Sequence, residues 1–133
     1  MKKLRIAASA IGIFAGVGGA SHGPGEILQG NVAPSDVIIE AWPSLTALGG
    51  EPAMTIVPHF IVAGILTIIF GLLVAVWAGV HVERKNGGMF LVLLSIIMLL
   101  VGGGIIPPFF GIAAGIIGGI INHNAAKHGA VTA

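Results

Sequence analysis

Cysteine is absent from the 133 residues, which excludes disulfides, thiolate metal sites and cysteine nucleophiles. Charge is scarce as well: Asp, Glu, Lys and Arg make up 8% of the chain, where a soluble domain carries about 25%. So few charges cannot cover a water-facing surface, and lipid is the expected solvent. No basic patch and no interleaving of basic with aromatic residues occurs, so nucleic acid is not an expected partner. The chain lacks GxSxG, HExxH, P-loop and dinucleotide fingerprints, and the GVGG of residues 16–19 has neither a preceding strand nor phosphate-binding spacing. No enzymatic activity is expected from these absences.

What is present is apolar: 56% of the residues are hydrophobic and the mean hydropathy is +1.04. Four apolar stretches stand out, at about residues 4–21, 56–80, 88–106 and 107–121. The second, at about 1.5 Å per helical residue, spans a hydrocarbon core of roughly 30 Å; the first and last are short for it. The expected fold is all-α, a single membrane domain over residues 1–133 built as a four-helix integral membrane bundle, with an external loop over 22–55.

Charge orients that bundle. Lys2, Lys3 and Arg5 precede the first stretch, Arg84 and Lys85 separate the second from the third, and Lys127 follows the fourth. Residues 21–55 hold Glu26, Asp36, Glu40 and Glu51 and no Lys or Arg. The positive-inside rule puts both termini and the HVERKNGG turn in the cytoplasm and the acidic loop outside. A competing reading makes residues 1–20 a signal peptide cleaved after Ala20, which reduces four helices to three.

The external loop carries turn signals at Gly23-Pro24-Gly25 and Ala33-Pro34. After the latter, Ser35 or Asp36 suits the N-cap of a short interfacial helix through Ile38, Ile39 and Trp42, ended by Pro43. A packed cap over the helix ends fits equally well. Between the third and fourth stretches, Pro107 and Pro108 predict that the third helix ends near Ile106 and that a tight apolar hairpin, or a re-entrant element, follows.

Small residues recur every four positions: Ala8, Gly12, Gly16 and Ala20 in the first stretch, Ala63, Thr67, Gly71, Ala75 and Gly79 in the second, and Gly111, Gly115 and Gly119 in the fourth. Such stripes let helix backbones approach closely in lipid. The third stretch has Leu91, Ser95, Leu99 and Gly103 at the same spacing. The first, second and fourth helices are therefore expected to pack closely, with the third more lipid-facing. The stripes serve contacts within one chain or between chains, so a homo-oligomer or another membrane protein is the expected partner beside the bilayer.

His59 follows Pro58 at the outer edge of the second stretch, with Glu51 and Trp42 near it in sequence. An interfacial polar residue is the plain reading of His59, and proton sensing or ligand binding assisted by Glu51 and Trp42 is the functional one. A bis-histidine haem needs two imidazoles at equal depth on facing helices. His22 and His59 fall near the outer face, and His81 and His123 near the inner face. All four sit at membrane edges, and the 22 residues from His59 to His81 span about 33 Å of helix. His123 and His128 are five apart with no carboxylate near. No cofactor and no metal are expected. No ionisable residue is expected deep in any span, which argues against a proton-coupled pump. Ser9, Thr67 and Ser95 are expected to bond to their own helix backbones.

The runs GPGEILQGN, GGEPAMTIVP, ERKNGG and VGGGIIPP resemble a pattern that recurs in small, uncharacterised multi-pass membrane proteins of bacteria. The resemblance covers residues 23–121 and implies a bacterial inner-membrane location. It brings no activity and no catalytic residues with it. The expected function is a non-catalytic scaffold or accessory subunit that engages partners through the glycine-striped helices and the outer loop. The alternative is an oligomeric channel or transporter for an uncharged or weakly charged solute.

Overall fold

The computed structural model describes residues 2–43 and 52–127. Glu51 and His128 lie outside those residues. In chain order the elements are α1 (Lys2–Ala20), α2 (His22–Leu28), β1 (Ile38–Glu40), β2 (Pro52–Met54), α3 (Phe60–Val80), α4 (Gly87–Val101) and α5 (Ile106–Lys127). The fold is mostly helical, as expected for an all-α chain.

The first helix does not stop at Ala20. It bends at Ser21 and continues as α2, so the rod runs from Lys2 to Leu28. The bend has an identifiable cause in Pro24, which has no amide for the Ala20 carbonyl one turn back and whose ring crowds it. Locally the Gly18 carbonyl takes up the polar groups at the bend, accepting from the Ser21 hydroxyl at 2.6 Å and meeting His22 Nδ1 at 2.8 Å. Gly30, at φ +89°, then reverses the chain in a conformation that L side chains rarely adopt.

The rods α1–α2, α3, α4 and α5 form a square in which α1 neighbours α3 and α5, and α4 neighbours the same two across the bundle. Neighbours run antiparallel. Gly12 and Gly16 of α1 face Ala78, Ala75 and Gly71 of α3, and Gly88 of α4 faces Gly115 and Gly119 of α5. The centre of the square is filled by α4, whose Leu91, Ser95 and Met98 are fully buried. Leu91 reaches Gly12, and Met98 lies against Gly19 on the opposite rod.

This corrects the expectation that the third helix is the lipid-facing one. Leu91 and Met98 point inward because α1, diagonally across, supplies glycine there, while Phe90, Leu93 and Ile96 face out. The ends of this helix differ too. Three glycines, not the two prolines, make the break: Gly102 and Gly104 have φ of +127° and +85°. Pro107 and Pro108 instead lie in the first turn of α5, where amides have no helical acceptor. The fourth helix continues to Lys127.

The connection from α2 to α3 carries no helix over residues 35–42, contrary to the expected interfacial helix. Ile38–Glu40 pairs antiparallel with Pro52–Met54, with Ile39 opposite Ala53. Alternation turns Ile39 inward while Ile38 and Glu40 face out. Ile39, Ala41 and Ala53 form a second small core, with Trp42 and Phe60 packed on it. The outcome is nearer to the packed cap that the sequence equally admitted. All six basic residues lie at the opposite end of the bundle, on the start of α1, the α3–α4 turn and the last residue of α5.

Candidate functional site

Beneath the cap, where α2, α3 and the end of α4 meet, the bundle encloses a cluster of oxygen atoms. The last carbonyls of α4 have no donor further along the helix; that of Met98 is met by the Gly102 and Gly103 amides. The Leu100 carbonyl accepts the Ile56 amide at 2.9 Å. The Val101 carbonyl lies 3.1 Å from the Thr55 hydroxyl and 3.2 Å from the Thr67 hydroxyl. Thr55 in turn accepts the Val57 amide at 3.1 Å.

Into this group reaches Glu26 from α2. Its side chain is fully buried, with Oε1 at 3.3 Å from the Thr67 hydroxyl and Oε2 without a hydrogen-bond partner. Thr67 lies on α3, seven residues after Phe60, which is about 10 Å along the helix from its cap end. The carboxyl therefore sits inside the bundle and not on its rim.

Two of the three glycines after α4 are shaped around Glu26 and its neighbour His22. A Cβ on Gly102 would overlap the Glu26 carboxyl, and one on Gly104 would meet the His22 ring at 2.6 Å. His22 and Glu26 are four residues apart on α2 and so share a face; both are buried, and both press on this glycine segment. Only residues without a side chain let the backbone pass so close.

The sequence placed Glu26 in the external loop over 22–55; the structure corrects this, putting it on α2 with its side chain buried in the bundle. A usable signal was present. The buried face of α1, through Gly12, Gly16 and Gly19, continues at helical spacing to Gly23 and Glu26. Pro24, read as a loop marker, concealed that continuation. Thr67 and Ser9 also depart from expectation, because each bonds to a neighbouring element and not to its own helix: Thr67 as above, and Ser9 to the Ala78 carbonyl at 2.8 Å. Ser95 does donate to Leu91, one turn back, at 2.8 Å.

Of the residues singled out around His59, Glu51 lies outside the described residues, and no hydrogen bond or ring contact joins His59 to Trp42. His59 is the N-cap residue of α3, with an exposed side chain that makes no capping bond. Trp42 is part of the cap, its indole nitrogen donating to the Ser21 carbonyl at 2.9 Å across the bend. Gln29 ties the same corner, its side-chain amide 2.8 Å from the Glu40 carbonyl.

Of the glycine and alanine stripe, Gly12, Gly16, Gly71, Ala75, Gly111 and Gly115 all sit at contacts between helices of this chain. Gly79 is exposed at ordinary contact distance from Ile13, and nothing approaches the Cβ direction of Gly119.

At the basic end, the His81 ring stacks on Trp77 at 4.7 Å, and its Nδ1 is buried without a hydrogen-bond partner. Arg5 and Glu83 form an exposed ion pair at 2.9 Å. Asn122 on α5 ties the α3–α4 turn to α4, donating to the Val82 carbonyl at 3.4 Å and accepting the Gly88 amide at 3.2 Å.

Comparisons with protein-family models, with curated proteins and with solved structures found no match to this chain.

Proposed function

We propose that this chain is a small integral membrane protein of the bacterial cytoplasmic membrane, a non-catalytic scaffold or accessory subunit with its capped end outside and both termini inside. The observation that carries the membrane reading is the inverted distribution of side-chain size. Small residues occupy the contacts between rods, whereas Phe14 (67% exposed), Val76 (60%), Phe109 (61%) and Ile116 (57%) point away from the bundle. In water such a surface is an extended apolar patch; in lipid it is the expected exterior.

Three rods are long and apolar enough to cross a membrane: Lys2–Leu28, Phe60–Val80 and Ile106–Lys127. At 15 residues, α4 is about 22 Å long. The path of its rod is completed by Gly102–Gly104, all buried, which suits the rule that irregular backbone at membrane depth is covered by protein.

The accessory role is supported by the contacts of Gly12, Gly16, Gly71, Ala75, Gly111 and Gly115, which close the bundle on itself. That leaves the cap and the outward aliphatic faces for partners. The test is extraction followed by native mass spectrometry in mild detergent. The chain is expected to resist an alkaline carbonate wash, to dissolve in detergent, and to fly as a monomer or as a complex with a different protein. Release by carbonate overturns the membrane reading. A closed homo-oligomer that conducts in proteoliposomes replaces the scaffold with a channel.

A further inference from the structure

We propose that the Glu26 cluster is a binding site for a small monovalent cation of sodium type. The inference goes beyond the membrane reading and stands on the cluster alone, so its failure leaves the membrane location untouched.

The donor set consists of hard oxygens from three helices and the segment after β2: the Glu26 carboxylate, the Thr67 and Thr55 hydroxyls, and the Val101 carbonyl at the open end of α4. Hydrogen counting leaves this set short of donors. Thr67 has one hydroxyl hydrogen and two acceptors within 3.3 Å, Glu26 Oε1 and the Val101 carbonyl. Thr55 offers its own hydrogen to the same carbonyl, and Glu26 Oε2, fully buried, has no partner.

No Lys or Arg stands beside the carboxylate, because all six lie at the opposite end of the bundle, and the titratable group nearest to it along α2 is His22, buried on the same face. The α4 terminus adds to the demand for positive charge, since helix C-terminal carbonyls carry a partial negative charge. Carbonyls at a broken helix end beside a carboxylate are a recurrent alkali-cation site in helical membrane bundles.

Size and charge narrow the ion. Neighbouring oxygens in the set lie 3.1–3.3 Å apart; a cation held by such a pair at a right angle would sit about 2.3 Å from each, wider than the 2.0–2.1 Å of magnesium and within the range of calcium-sized ions. Sodium has that size with a single charge. One carboxylate matches one charge, and among the described residues no group of three His, Asp or Glu gathers to hold calcium or zinc. The glycines complete the selection: the absence of side chains at Gly102 and Gly104 lets the end of α4 fold against Glu26 and His22.

The full chain, purified in mild detergent, is unfolded by heat in sodium chloride, potassium chloride and choline chloride at one ionic strength and pH. The melting temperature is expected to climb with sodium and to saturate, while choline gives no such rise and potassium at most a weaker one. Glu26→Gln, which keeps the shape of the side chain, abolishes the sodium response; Thr67→Val moves its midpoint at least tenfold higher in sodium. A wild-type melting temperature that ignores sodium overturns the site, as does one that follows pH alone, which would assign the missing positive charge to a proton. A Glu26→Gln protein that retains the full response also overturns it. Should Glu26→Gln fail to fold, sodium-23 line broadening by the wild type, lost in Thr67→Val, decides the same question.

Discussion

At Gly16 an added Cβ would meet the Ala75 amide and, at 2.5 Å, the Gly71 carbonyl, both backbone atoms of α3. Neither can swing aside, so the whole of α1 would have to lift from its neighbour. Gly119 belongs to an equally regular stripe, yet nothing lies within 4 Å of its Cβ direction. Spacing alone does not separate the two; the facing element does. Gly16→Ala is expected to cost about 1–3 kcal/mol, the usual range for overpacking. Gly119→Ala is expected to be neutral or mildly stabilising, since alanine restricts the unfolded chain. Thermal or denaturant unfolding of the two variants in the same detergent checks the pair. Equal losses would mean that the stripe acts through something other than contact with α3.

Among the elements, the helices were legible in the sequence because each is carried by a long apolar run. Their ends were not, because Pro24, Pro107 and Pro108 stand inside first turns, where proline signals helix as readily as loop. The cap was misread for a different reason. Ile38–Glu40 becomes a strand only through its pairing with Pro52–Met54, twelve or more residues away, and β structure of that kind has no local signature strong enough to outweigh a plausible N-cap. The candidate site suffered from both effects, since it is built where a proline-bent helix meets a glycine-broken one. The cap and that bend are linked through Trp42, whose indole donates to the Ser21 carbonyl while its ring lies against Gly25. Trp42→Phe keeps much of the aromatic bulk and removes the donor, a loss of about 0.5–1.5 kcal/mol. Because the bond ties the cap and not the rods, amide exchange should quicken at residues 38–40 and 52–54 while α4 and α5 keep their protection. Uniform acceleration throughout the bundle would show that the cap and rods unfold as one unit.

For the whole molecule, topology and charge point the same way. With neighbouring rods antiparallel, the start of α1, the α3–α4 turn and the end of α5 share one end, and all six basic residues fall there. The other end holds Asp36 and Glu40 on the cap. Under the proposed membrane reading, the positive-inside rule puts the basic end in the cytoplasm. The lack of cysteine turns that into a clean measurement, because any introduced thiol is the only one in the chain. Ser35, on the cap, and Lys85, in the α3–α4 turn, are both exposed, so replacing either should leave the fold intact. Ser35→Cys is expected to react with a membrane-impermeant maleimide added to intact cells whose outer barrier is opened. Lys85→Cys should react only after the inner membrane is permeabilised. The reverse pattern would invert the orientation. Equal labelling of both before permeabilisation would indicate mixed insertion, and six clustered basic residues would then be too few to bias this chain. Since Lys85 itself belongs to the biasing set, Asn86→Cys, one residue on and exposed, repeats the inner measurement with every charge in place.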